Sequence, residues 1–346
     1  MTATVIQADA VIVGAGPVGL FQAFQLGLQD IRCHLIDALP HVGGQCIELY
    51  ADKPIYDIPA IPLCTGRELV AQLQTQVQPF APTLHLNQEV TEVERLEDAS
   101  ISVTTSTGQH FVCKVLVIAA GVGAFQARKL AVEGARALEG THVHYRLGDA
   151  SRFAGQDVLV LGGEESAVAA ALKLTLEAHG PRSVTLMHRR DVFTADPVLL
   201  QAMRDAVANG TLQLQIGQPT GLFATEGQLH ALQIAIPDGN TLERPAQQLI
   251  ACLGLSPKLG PISQWGLVME RKQLVVNTET FATDVPSIFA VGDINTYPGK
   301  KKLILCGFHE ATLAAFGAAA IVHPTRKTLL QYTTTSSELH RLLGIA

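Results

Sequence analysis

The sequence has no CxxC pair. Its six cysteines, at positions 33, 46, 64, 113, 252 and 306, are scattered through 346 residues. That is no disulfide scaffold, and it fits a reduced, cytoplasmic protein with buried thiols. Basic charge is not in excess. The formal net charge is −6 and the pI about 6.0, so the overall balance does not point to nucleic acid. No apolar run reaches the ~18 residues of a membrane span, so no membrane association is expected. The start, "MTATVIQADAVIVGAG", lacks the basic residues and cleavage site of a signal peptide. What is present is 47% apolar and 16% charged residue content, ample for two packed domains. The apolar stretches are short and broken by glycine, as in buried parallel strands.

Strand and helix patterns alternate, which predicts an α/β fold with parallel sheets. "DAVIVGAGPVGLFQAFQLGLQDIRCHLIDA" reads strand, glycine turn, helix, strand. "DVLVLGGEESAVAAALKLTLEAHGPRSVTLMHRR" reads the same way, with Gly162 in the place of Gly14. Alternating segments from "EVTEVERLED" to "QHFVCKVLVIAAG" suggest a small antiparallel sheet between the units. A comparable region follows the second unit, with "PDGN" as a hairpin turn. The chain then returns to "SIFAVGDI" and a helical "FHEATLAAFGAAAIV". The expected organisation is two Rossmann-like dinucleotide-binding domains, the second inserted in the first. The boundaries fall at 1–122 with 282–346 for the outer domain, and 123–281 for the inserted one.

The first fingerprint is Gly14-x-Gly16-x-x-Gly19, directly after a strand. Gly14 allows the tight turn, Gly16 lets the backbone approach a pyrophosphate, and Gly19 lets the helix pack on the strand. The helix N-terminus offers N–H groups to phosphate. Asp37 ends the next strand, 23 residues after Gly14, placed to accept from ribose hydroxyls. The second fingerprint keeps Gly162 and Ala167 at its ends, with Gly163 and Ser166 as further candidate contacts. Glu164 stands where the middle glycine belongs. A carboxylate there adds obstruction and like-charge repulsion on the order of 1 kcal/mol toward phosphate. The following strand ends in His188, Arg189 and Arg190 rather than an acid, which fits the 2′-phosphate of NADP.

"SIFAVGD", with Asp293, resembles the second FAD motif of two-dinucleotide-binding flavoproteins, and "VLVIAAGVGAF" resembles their other strand-to-glycine crossing. Enzymes of that class often carry a dithiol. Here Cys46 is followed five residues later by Ala51, and "VHYRLGDASRFAGQDVLVLGG" holds no cysteine, so both dithiol positions are empty. Cys46 reads as a small buried hydrophobe, having no cationic neighbour to activate it. With "GGQC", Tyr50, "KPIYDIP", "VTLMHRRD" and "SIFAVGDINTYPGKKKLILCGFHEA", the chain resembles the thioredoxin-reductase-like ferredoxin(flavodoxin)–NADP+ reductases over nearly its whole length.

The resemblance implies FAD and NADPH/NADP+ as cofactors, ferredoxin or flavodoxin as partner, and a homodimer. It implies FAD contacts at Asp37, Gln45, Tyr50, Val90, Phe125, Asp293 and Thr334, with Tyr50 stacking on the isoalloxazine. A C-terminal residue, with Tyr332 as candidate, covers the opposite face. The run Lys300, Lys301, Lys302 is a candidate docking patch for an acidic carrier, against the plainer reading of a solvated charge run. No acid–base triad is expected. The competing expectations are a flavoprotein sensor or diaphorase with NADPH binding weakened by Glu164, and an NADH-preferring diaphorase of the same fold.

Overall fold

The structure is a computed structural model in which residues 5–326 and 332–344 are described. The chain forms two compact units: residues 1–125 with 257–346, and residues 126–256.

The first unit is built on a seven-stranded sheet. Strand β1 (Val5–Val13) leads through the glycine turn into helix α1 (Pro17–Leu28) and strand β2 (Cys33–Ile36). β1 pairs parallel with β2 and with the strand His110–Ile118. That nine-residue strand does two jobs. Its first half pairs antiparallel with Ile101–Thr105, and its last three residues pair parallel with Ile288–Ala290. The expected antiparallel meander therefore exists, but it is continuous with the parallel sheet rather than separate from it. Ala10–Ile12 and Val115–Ile118 are fully buried, because helices and the meander cover both faces.

The second unit carries a five-stranded parallel sheet containing Asp157–Leu161 and Ser183–His188, flanked by the Glu165–Thr175 helix. A three-stranded antiparallel sheet follows, Gln218–Thr225, Gln228–Ala235 and Thr241–Pro245. The "PDGN" turn closes its second hairpin. Asn240 N–H donates to Asp238 Oδ1 at 2.9 Å, and Gly239 takes φ +92°.

The second boundary lies at 256/257, not at 281/282. Residues 257–281 join the first unit because their apolar side chains do: Ile262, Leu267, Leu274 and Phe281 are buried in its core. Gln273–Val275 also pairs with Asn295–Thr296.

Among the described residues one helix, Ile304–Val322, is long and apolar enough by length and composition to cross a membrane, although His309, Glu310 and Thr312 interrupt its apolar run. Its packed side shows why it is apolar. Ala311, Ala314, Ala315 and Ala318 are fully buried in the first unit, and so is Glu310.

Candidate functional site

The glycine turn after β1 is as tight as its sequence demands. Gly14 has φ +107°, and a Cβ on it would lie 2.5 Å from the Ala119 carbonyl oxygen. A Cβ on Gly19 would lie 1.9 Å from the Gly14 carbonyl oxygen. Gly16 is different: a Cβ there would meet nothing closer than Gly44 Cα at 3.9 Å. Its absence keeps open the cradle in front of α1. Gly16 caps α1 without any side-chain cap hydrogen bond, which leaves the helix N-terminus for an anion.

Asp37 follows β2 and is mostly buried. Its Oδ2 accepts from Ala15 N–H at 2.6 Å and its Oδ1 from Leu39 N–H at 2.8 Å. Burial pushes its pKa up, against the pull of those two hydrogen bonds. An ionised carboxyl has about four lone-pair sites, so two remain for hydroxyl donors. Gln88 N–H donates to the Asp37 carbonyl at 3.0 Å, which joins the loop before Val90 to the same wall.

A cleft of about 1250 Å³, solvent at its mouth included, runs from Asp37 past Gly14, Gly16, Gln45 and Val90 to Tyr50 and Asp293. Gln45 Nε2 donates to Asp293 Oδ2 at a long 3.4 Å. Asp293 lies in the short turn Gly292–Ile294, whose Gly292 takes φ +80°. The same cleft is lined by Ile262 and Trp265. No motif marks these two, because they reach it from the segment expected in the other domain. A glycine-walled cleft with an acid at one end and a second acid beside an aromatic ring at the other fits an FAD-sized dinucleotide.

Tyr50 ends helix α2 (Gly44–Tyr50), and Cys46 lies one turn earlier. The Cys46 thiol donates to the Tyr50 hydroxyl at 3.5 Å. Cys46 is fully buried, and burial pushes its thiol pKa up. It is not poised to react as a thiolate. Burial does the same to Cys33 and Cys113, both pushed up to about 12, and to Cys252, pushed up to about 11. All six cysteines are free.

Not every expected residue reaches the cleft. Thr334 and Tyr332 are exposed, at the short turn Thr333–Thr335, and neither lines it. The following helix Ser337–Leu342 is anchored instead through buried Leu339 and packs against the turn Gln78–Phe80. The Phe125 side chain lies outside the described residues.

The lysine run also divides. Lys300 is internal: its ammonium sits 2.5 Å from Glu310 Oε1 and 2.8 Å from the Gly292 carbonyl. It is therefore not a docking charge, because a buried carboxylate has claimed it. Lys301 and Lys302 are exposed, and Lys302 lines the cleft.

In the second unit, Gly162 takes φ +147°, and a Cβ there would lie 2.3 Å from the Cys252 carbonyl oxygen. Gly163 lies under the His188 ring, which a Cβ would approach to 2.6 Å. Thr194 N–H donates to the Gly163 carbonyl at 2.8 Å. Glu164 caps the Glu165–Thr175 helix with φ −98° and ψ 169°, extended backbone open to any residue. Its carboxylate is exposed, with Oε2 3.8 Å from the place of a Cβ on Gly254. Ser166, Arg189 and Arg190 are exposed, and Ala167 is buried against the turn. His188 has its pKa lowered by burial first and by Arg189 and Arg190 next, with Glu164 opposing. Its imidazole is neutral at neutral pH, and the guanidinium groups are the cations of this strand end. Among the described residues, no group of three His, Cys, Asp or Glu side chains could hold a metal ion.

Comparison with known proteins agrees with this geometry. The pyridine nucleotide-disulphide oxidoreductase family matches residues 50–292, and an NAD(P)-binding Rossmann-like domain matches residues 12–73. A ferredoxin–NADP reductase 2 of Cupriavidus metallidurans is 54% identical over 98% of this chain and 92% of its own length. A ferredoxin–NADP reductase of Methylibium petroleiphilum is 53% identical over 98% of this chain and 93% of its own. Among solved structures, thioredoxin reductase from Lactococcus lactis superposes with TM-score 0.61 at 25% identity, covering 91% of this chain and 99% of that one. Bacillithiol disulfide reductase from Staphylococcus aureus shares the fold with TM-score 0.63 at 19% identity, over 91% of this chain and 99% of that one. The two-unit architecture, both glycine fingerprints and these relatives agree: the chain belongs to the ferredoxin–NADP reductase family, oxidoreductases that work with FAD and NADP(H).

Proposed function

We propose that this chain moves electrons between NADPH and ferredoxin or flavodoxin through FAD in the first-unit cleft, without a redox dithiol. One observation carries the reading. The cleft ends at Tyr50 and Asp293, and the nearest thiol, Cys46, is buried and hydrogen-bonded to Tyr50. Bound FAD supplies the conversion between a two-electron hydride and single electrons. The rest is positioning by the protein. The α1 N-terminus and Gly16 hold the pyrophosphate. Asp37 accepts from ribose hydroxyls, and Asp293 and Gln45 orient the far end. Tyr50 covers one face of the ring system. Gly162, Gly163 and Ser166 hold the NADPH pyrophosphate, and Arg189 and Arg190 its 2′-phosphate. Glu164 takes extended backbone open to any residue, so its cost lies in the bulk and charge of its side chain near phosphate, not in backbone strain. The sensor and diaphorase readings have no observation in their favour. Six free thiols suit the reducing cytoplasm, and the family resemblance supports a homodimer.

Steady-state turnover with NADPH and a panel of ferredoxins and flavodoxins tests the function. Reduction of at least one carrier at many turnovers per minute is expected, and NADPH oxidation with none of them sinks it. Tyr50→Ser should raise flavin fluorescence and change the hydride-transfer rate in stopped-flow mixing. Unchanged values for both would remove the stacking role.

Lys301 and Lys302 are the basic part of the docking surface, beside exposed Leu303 and Leu305. The double reversal Lys301→Glu, Lys302→Glu should lower kcat/KM for an acidic ferredoxin about tenfold at low salt, with the gap closing as salt rises. A salt-independent rate equal to the native one would show that docking lies elsewhere.

A further inference from the structure

Directly behind Asp293, in the wall of the cleft, lies a charged cluster that the cofactor reading does not use. Glu310 is fully buried on the Ile304–Val322 helix. Its carboxylate accepts from four donors: Gly292 N–H at 2.7 Å, Asn295 Nδ2 at 2.9 Å, the Tyr297 hydroxyl at 2.9 Å and Lys300 Nζ at 2.5 Å. Lys300 is almost as deeply buried, with 7% of its side chain exposed, and it also donates to the Gly292 carbonyl at 2.8 Å. Gln273 Nε2 donates to the carbonyls of Asp293 at 3.2 Å and Asn295 at 2.7 Å. Both polar atoms of Gly292 are therefore held by one ion pair, and Gly292 itself lines the cleft.

A buried ion pair is poor evidence for stability. Its desolvation often outweighs its attraction, and apolar residues of similar volume commonly replace it without loss. A pair whose partners grip the N–H and the C=O of the same left-handed glycine needs a different account. That glycine turns the chain so that the next residue, Asp293, faces the cleft. Without the pair, both polar atoms of Gly292 lose a charge-assisted partner at a buried site.

We propose that Glu310 and Lys300 are positioning residues for the flavin, holding the Gly292–Asp293 turn against the cleft as a locally neutral pair. The inference rests on FAD occupying the cleft. It has an electrostatic signature that a purely structural role lacks. Reduction adds negative charge to the flavin, so an unbalanced charge behind Gly292 shifts the potential by its sign. Lys300→Met leaves the Glu310 anion and lowers the potential. Glu310→Gln keeps an acceptor for Gly292 N–H, leaves the Lys300 cation and raises it. The double variant restores neutrality.

The test is the reduction potential of the bound flavin in the three holoproteins, with FAD affinity by fluorescence titration and thermal unfolding alongside. Opposite shifts in the two single variants are expected, a near-native potential in the double variant, and at least tenfold weaker FAD binding in each single variant. Native potential and FAD affinity in both single variants, with only the unfolding temperature changed, would overturn the proposal. If Lys300→Met does not fold, Glu310→Gln compared with the double variant decides: an upward shift in the first alone supports it, and equal potentials overturn it. Native protein that binds no FAD would instead defeat the cofactor assignment itself.

Discussion

Gly19→Ala should lose FAD binding and destabilise the FAD-free protein by about 3 kcal/mol or more. The added methyl would sit 1.9 Å from the Gly14 carbonyl oxygen, which is backbone and cannot swing aside. To relieve it, α1 must lift off β1, and the N–H groups aimed at the pyrophosphate move with it. Gly16→Ala is the matched control. Its methyl meets nothing within 3.9 Å, and the φ of −69° suits alanine, so stability of the FAD-free protein should stay within about 1 kcal/mol of native. FAD affinity should still fall about tenfold or more, because the methyl enters the space a phosphate needs. Denaturant unfolding without FAD and fluorescence titration with FAD measure the two effects. If the two variants lose stability equally, close helix packing is not what Gly19 provides.

Arg189→Ala and Arg190→Ala should each raise the KM for NADPH about 10- to 100-fold and leave that for NADH nearly unchanged. A hydrogen bond to a charged group is worth about 1.5–3 kcal/mol, and tenfold in affinity is about 1.4 kcal/mol. Both side chains are exposed at the end of the strand Ser183–His188, so they are free to close on a 2′-phosphate. His188 does not compete for that role. Its pKa is lowered by burial and by the two arginines, and its ring is packed over Gly163. Comparing kcat/KM for NADPH and NADH in each variant gives the result. Equal losses for the two nucleotides would mean that the arginines support the strand rather than read the phosphate.

Both glycine fingerprints were legible because each is a local device. A turn that must take positive φ, or admit another backbone within van der Waals distance, selects glycine within a few residues of the strand that feeds it. Asp37 and the Arg189–Arg190 pair are legible for the same reason: the end of a strand fixes where a side chain points. The division of the lysine run was not legible. Lys300, Lys301 and Lys302 are identical in type, and only Glu310, ten residues away on another element, draws the first of them inside. Thr334 shows the reverse. The resemblance assigns it to the cofactor, while the place of its segment beside Gln78–Phe80 is set by burial of Leu339, which no local pattern announces.

Two Rossmann-like units, the place of each glycine turn, the strand end that carries the basic pair and the two unfilled dithiol positions can all be read from the sequence alone. These features depend on spacing along a single strand–turn–helix. Only the tertiary structure decided that residues 257–281 complete the first core, that Trp265 and Lys302 reach the cleft, and that Cys46 donates to Tyr50. It alone seats Lys300 and Glu310 behind Asp293. Such contacts depend on which apolar faces bury together and which charges that burial strands without water, and no local pattern records either.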